Sequence, residues 1–143
     1  MKIFFTVLLF LFSKSNFAQD AVKWSFGFNS EANTIELKVN LAEGWHIYSQ
    51  KSELVIGPVP TSITFNENQN IKLIGKVEEP NPIKDYDENF EDTLAFFEKE
   101  VVFSQKVEFR GNHSIEGVVN YMICNSSMCL PPKDELFKIE LKK

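Results

Sequence analysis

From Thr34 onward apolar and polar residues alternate, with Ile35, Leu37, Val39 and Leu41 on one side and Glu36, Lys38 and Asn40 on the other. This is the period of a strand with one buried face. Glu43-Gly44 turns the chain, and the aromatic and β-branched run Trp45-His46-Ile47-Tyr48 predicts a further strand. Gly57-Pro58-Val59-Pro60 interrupts regular pairing, because proline brings no ladder donor, and predicts a loop or a crossover between sheets. Short strands are expected over 61–65 and 71–77. After them Glu79-Pro80-Asn81-Pro82 and the acidic stretch from Asp85 to Asp92 read as a long exposed loop, of the kind that often carries function. Alternation returns with Val101, Phe103, Val107 and Phe109 and, past a turn near Gly111-Asn112, with Ile115, Val119, Tyr121 and Ile123. These two runs are expected to pair as a hairpin. A last strand over 136–141 sets Phe137, Ile139 and Leu141 on one face, while Trp24 to Phe28 reads as either a first strand or a mobile arm.

No segment shows a helical period. Some seven short strands, separated by turn signals and without an internal repeat, predict an all-β fold: an immunoglobulin-like antiparallel β-sandwich.

The N-terminus departs from this pattern. Met1-Lys2 precedes an apolar run from Ile3 to Phe12, followed by Ser13-Lys14-Ser15-Asn16-Phe17-Ala18. The run is about half the roughly 20 residues of a membrane-spanning helix, so it reads as a secretory signal peptide, residues 1–18, with cleavage after Ala18. The expected mature chain, 19–143, is one domain, large enough to bury a core without a dense disulfide framework. It is expected to be soluble in the periplasm. Cleavage takes away Lys2 and Lys14, two of the 15 basic residues, and none of the 20 acids, which moves the formal net charge from −5 to −7. That balance excludes nucleic acid as a partner, since binding it calls for clustered Lys and Arg. The 14 phenylalanines read as core and loop packing. No glycine-rich phosphate loop, nucleophile elbow or paired metal-ligand motif appears, and no cofactor is expected.

Chemistry concentrates in Cys124-Asn125-Ser126-Ser127-Met128-Cys129, which lies between a strand and Pro131-Pro132. In an oxidising compartment two cysteines so placed are expected to form a disulfide. As a staple, so short a ring contributes about 2 kcal/mol in the chain-entropy model, against more than ~4 for a bridge spanning a sandwich. An exposed bridge at a strand end is instead readily reduced, which suits electron transfer. Metal binding is a third reading, because His46, His113, Met122, Met128 and the thiols suit copper or zinc. The spacing argues against it, as zinc sites repeat a short spacing in two ligand pairs and only one pair is present. Redox pair, structural staple and metal site all remain open on the residues alone, as does a non-redox protein-binding β-sandwich with a structural disulfide.

The segments Glu43-Gly44-Trp45-His46-Ile47-Tyr48, Gly57-Pro58, the loop bearing Phe90, the strand from Val101 to Phe109, and Tyr121-Met122-Ile123-Cys124 through Cys129-Leu130-Pro131-Pro132 together resemble the N-terminal periplasmic domain of the thiol:disulfide interchange protein DsbD. The most specific part is the tyrosine-bearing strand, the cysteine pair around a short loop, the apolar residue and the double proline. The resemblance implies a sandwich with the cysteines in an inserted hairpin under a cap loop. It implies that Cys129 forms mixed disulfides with partners and that Cys124 resolves them. It places Phe90 as the shield of the disulfide, with Tyr48 and His46 as rings beside it, the latter usually tyrosine in the family. Reducing equivalents would arrive from a thioredoxin-like domain fed by a membrane electron carrier. They would leave to a disulfide isomerase or a cytochrome-maturation thioredoxin.

Two differences from the family pattern bear on this reading. Four residues separate the cysteines here, where five are usual, and the chain ends at Lys143, without the membrane and thioredoxin-like domains, so a stand-alone relay is expected. Since no Lys, Arg or helix N-terminus is evident near the pair to lower a thiol pKa, the expected relay is passive. A partner thiolate attacks Cys129, Cys124 leaves, and Cys124 later returns to expel the reduced partner. Asp87 and Glu88 in the cap loop are candidates to raise a thiol pKa or accept its proton, or are simply solvated.

Overall fold

The computed structural model describes residues 21–52, 57–66 and 68–142; the expected signal peptide, 1–18, lies outside the described residues. Every regular element described is a strand: β1 (Val22–Asn29), β2 (Thr34–Leu41), β3 (His46–Tyr48), β4 (Ser62–Phe65), β5 (Ile71–Glu78), β6 (Ile83–Asp87), β7 (Asp92–Glu98), β8 (Glu100–Phe109), β9 (His113–Tyr121), β10 (Ile123–Cys124) and β11 (Lys133–Leu141). They form three sheets, ordered β1-β2-β8-β5, β11-β9-β4 and β10-β3-β7-β6, with every pairing antiparallel. The architecture is an all-β, immunoglobulin-like sandwich.

The core follows from the alternation in the sequence. Ile35, Leu37, Val39, Val101, Phe103 and Val107 of one sheet join Ile115, Val119, Tyr121, Phe137, Ile139 and Leu141 of another in one buried cluster. Trp24 to Phe28 belongs to β1, whose Trp24, Phe26 and Phe28 pack against that cluster. The crossover expected at Gly57-Pro58-Val59-Pro60 is present, since β3 and β4 lie in different sheets.

Two expectations are corrected. The runs Val101 to Phe109 and Ile115 to Ile123 do not pair with each other. β8 lies between β2 and β5, β9 lies between β11 and β4, and the Arg110–Asn112 turn, with Gly111 at φ 74°, carries the chain from one sheet to the other. Alternation says that each strand has a buried side; it does not say which strand lies beside it. The acidic stretch from Asp85 to Asp92 is not a loop throughout. β6 and β7 form a hairpin in register from Ile83↔Phe96 to Asp87↔Asp92, and only 88–91 form its tip. β6 is an edge strand with Ile83 and Tyr86 45% and 59% exposed, so its backbone ladder, rather than an apolar face, holds it.

The third sheet grows from the ends of the other two. β10 follows β9 after the single residue Met122, and β7 runs into β8 through Lys99, whose φ of 62° breaks the strand. The Leu41 amide donates to the Lys99 carbonyl oxygen at 2.7 Å, fixing this break against β2. The small sheet is thus tied to the sandwich at two points.

Candidate functional site

The two faces of the small sheet are chemically unlike. Ile47, Phe97 and Ile123 join the main core. Their chain neighbours Tyr48, Phe96 and Cys124 face the other way and, with Leu94 two residues before Phe96, build a second cluster, against which Phe90, Met122 and Cys129 pack. His46 lies opposite Cys124 in the β3–β10 register and opposite Glu98 in the β3–β7 register.

Cys124 and Cys129 are joined by a disulfide. The Asn125 amide donates to the Met128 carbonyl and the Leu130 amide to the Ile123 carbonyl, both at 2.9 Å, so the cysteines face each other at a non-hydrogen-bonded position. Side chains approach closest at such positions, and the two Cα atoms are 4.0 Å apart. Asn125 closes the turn, with Oδ1 accepting from the amides of Ser127 and Met128, each at 2.9 Å. The two sulfur-bearing residues are not equivalent: Cys124 is fully buried and Cys129 only half-buried.

A polar network lies under the cap. The Tyr48 hydroxyl donates to Asp87 Oδ2 at 2.6 Å, and His46 Nε2 lies 3.0 Å from Tyr48 Oη and 3.2 Å from Asp87 Oδ2. Because the tyrosine proton is given to Asp87, Nε2 faces two acceptors and is the protonated nitrogen of the neutral ring. Asp87 Oδ1 accepts the Asn89 amide at 2.8 Å. Burial opposes the charge on Asp87, yet the Tyr48 hydroxyl, the Asn89 amide and His46 together outweigh it and hold the carboxyl below its ordinary value. Burial pushes the His46 imidazole down; attraction to Asp87 and Glu98 only partly offsets this. Burial first, and Asp87 second, push the Tyr48 phenol up. At neutral pH the network is therefore an anionic carboxylate held by a neutral imidazole and a protonated phenol.

The β6–β7 tip closes over this arrangement. Phe90 meets the Tyr48 ring edge to face at a centroid distance of 5.9 Å, and the Asn89 side chain donates to the Asn125 carbonyl at 2.9 Å. His46 is flanked by Phe96 at 4.7 Å and Tyr48 at 5.1 Å between ring centroids.

The five residues to which the family resemblance assigns a place at the disulfide, Cys124, Cys129, Phe90, Tyr48 and His46, come together here. His113 does not; its ring bonds the Arg110 carbonyl at the turn between the large sheets. Met122 packs beside the cluster, while Met128 is 52% exposed on the turn. Of the two cap acids, Glu88 is exposed and Asp87 is only 4% exposed. Sequence reasoning missed that burial because five acids crowd the stretch from Asp85 to Asp92 and nothing in the pattern separates one of them. Asn89 and Asn125 were not singled out either, and polar residues in turns give no signal of contact across 36 positions.

An all-β domain with a disulfide at the tip of a short hairpin, half covered by a cap, defines a class of thiol–disulfide exchange modules. The family described as thiol:disulfide interchange protein DsbD, N-terminal, matches residues 15–141, and the chain belongs to it. The domain is a thiol–disulfide relay of that family. Among solved structures, the chain is similar to the Neisseria meningitidis DsbD N-terminal domain in the reduced form, with 16% identity, a TM-score of 0.65, and coverage of 87% of this chain and 89% of that one. It is similar to a chain of the complex between the DsbD and PilB N-terminal domains of the same organism, with 16% identity, TM-score 0.62, and coverage of 84% and 83%. It is also similar to the N-terminal periplasmic domain of ScsB from Proteus mirabilis, with 20% identity and TM-score 0.56; there 82% of this chain matches 44% of that one. No curated protein matches it in sequence.

Proposed function

We propose that residues 1–18 are an export signal and that residues 19–143 form a periplasmic domain passing reducing equivalents through Cys124 and Cys129. The observation that carries the assignment of roles is the unequal burial of the two cysteines. A partner thiolate needs an in-line approach to a disulfide sulfur, and half-buried Cys129 offers one where fully buried Cys124 does not. Attack forms a bond from the partner sulfur to Cys129 Sγ, breaks the Cys124–Cys129 bond, and leaves the electron pair on Cys124 Sγ. In the reduced domain Cys129 attacks a partner disulfide, and Cys124 then displaces the reduced partner and restores the ring. Phe90, Tyr48 and His46 surround the pair and limit access to it.

The donor we propose is a thioredoxin-like protein or domain, itself supplied by a membrane electron carrier. The proposed acceptors are disulfide isomerases or cytochrome-maturation thioredoxins. A complex of a DsbD N-terminal domain with a PilB N-terminal domain supports a protein partner of this kind.

Equilibration of the mature domain with glutathione or dithiothreitol mixtures, followed by trapping of free thiols, tests the reading. A potential between roughly −180 and −270 mV, the span of exchange proteins, supports the relay. A value below about −300 mV marks a structural staple and favours a non-redox binding module. The division of roles is tested by Cys124→Ser, which should accumulate mixed disulfides through Cys129, and Cys129→Ser, which should not.

A further inference from the structure

We propose that Asn89 is a positioning residue for thiol exchange: its side-chain donor clasps the cap to the intercysteine turn, so that shielding of the disulfide depends on that hydrogen bond. The inference rests on the relay reading and names a residue through which access is set.

Asn89 is held at both ends. Its main-chain amide donates to Asp87 Oδ1 at 2.8 Å, and Asp87 is in turn fixed by Tyr48 and His46. Its side-chain Nδ2 donates to the carbonyl oxygen of Asn125, the residue after Cys124. The turn presents this acceptor in a defined place, because the amide and Oδ1 of Asn125 are committed to Met128 and Ser127 within the turn. The next residue, Phe90, lies on Tyr48 in the cluster that contains Cys124. The clasp and the aromatic lid are consecutive residues, so loss of the clasp frees the lid.

An exposed hydrogen bond of this type contributes modestly, so removing it should raise the open population severalfold without unfolding the domain.

The test compares the oxidised mature domain with Asn89→Ala and Asn89→Asp, measuring the rate of disulfide reduction by dithiothreitol and the urea midpoint. Asp keeps the size of Asn and removes the donor. The expected result is a rise of about three- to tenfold in the reduction rate of both variants, the range matching a lost hydrogen bond, with each oxidised variant still unfolding in one cooperative urea transition whose midpoint falls by no more than that bond accounts for. Wild-type rates in both variants overturn the clasp. So does a fast Ala variant beside a wild-type-like Asp variant, because bulk rather than the donor would then matter. Excess dithiothreitol reduces the bond whether or not the domain is a relay, so failure of the relay reading would appear in the equilibrium potential and not in this rate ratio.

Discussion

Tyr48 and Asp87, 39 positions apart, share a 2.6 Å hydrogen bond that joins the strand beside Cys124 to the root of the cap. A nearly buried carboxylate is costly unless its oxygens are paired, and here Tyr48, His46 and Asn89 supply the pairs. Removal of the hydroxyl in Tyr48→Phe keeps the ring against Phe90 and takes away the shortest of these bonds. A bond to a charged acceptor contributes on the order of 1.5–3 kcal/mol. The variant should lose about 2 kcal/mol in urea unfolding at pH 7, and its Asp87 carboxyl should titrate higher by NMR. An unchanged Asp87 titration would show that Tyr48 does not hold the carboxylate.

The same network predicts the response to acid. His46 has its folded pKa below the ordinary 6.5, so between the two values the unfolded chain binds more protons and stability falls as pH drops. Asp87 is also held down, below 3.8; its contribution is complete above that value and is lost as pH falls through the folded pKa. Both effects have the same sign and occupy different windows. Thermal midpoints should fall in a first step just below pH 6.5 and a second below pH 3.8. His46→Gln should remove the first step and, because His46 also helps to hold Asp87 down, shrink the second.

The contrast between what was legible and what was not has a physical basis. Ile35 to Leu41, Val101 to Phe109 and Phe137 to Leu141 each have one wet and one dry side, so the pattern displays the strand directly. β6 is an edge strand with little buried side chain, and its ladder bonds leave no mark on composition. Pairing partners were hidden for a related reason: Phe109 and Ile115 face one core from opposite sheets, which alternation cannot distinguish from neighbours in one sheet. At the site, cysteine and aromatic chemistry was visible in residue type and motif. Asp87, Asn89 and Asn125 act through tertiary hydrogen bonds that only the fold brings about.

Gly117 offers a test of the sandwich independent of the site. A Cβ built on it would lie 2.3 Å from the Thr64 carbonyl oxygen and 2.4 Å from Phe137 Cζ. The first obstacle is backbone of the neighbouring strand and cannot rotate away. Gly117→Ala should therefore cost about 1–3 kcal/mol, the usual range for overpacking, although alanine is a better strand residue than glycine. Equilibrium urea unfolding checks it; a neutral or stabilising effect would mean that β4 and Phe137 yield more easily than their packing indicates.

Removing both sulfurs asks how far the fold depends on the bridge. Cys124 and Cys129 enclose only four residues, and a ring of that size restricts the unfolded chain by about 2 kcal/mol in the entropy model. The main core, from Ile35 to Leu141, forms without either cysteine. Domains of this kind have stabilities of roughly 5–15 kcal/mol, so a loss of that size leaves most molecules folded. Cys124→Ala with Cys129→Ala should unfold in one cooperative transition about 2 kcal/mol less stable than the oxidised parent, with the β-sheet circular dichroism spectrum intact. A domain that stays folded without its bridge can also stay folded while the bridge opens and closes, which repeated exchange requires. Loss of the cooperative transition would instead make the disulfide a condition of folding and would remove that freedom.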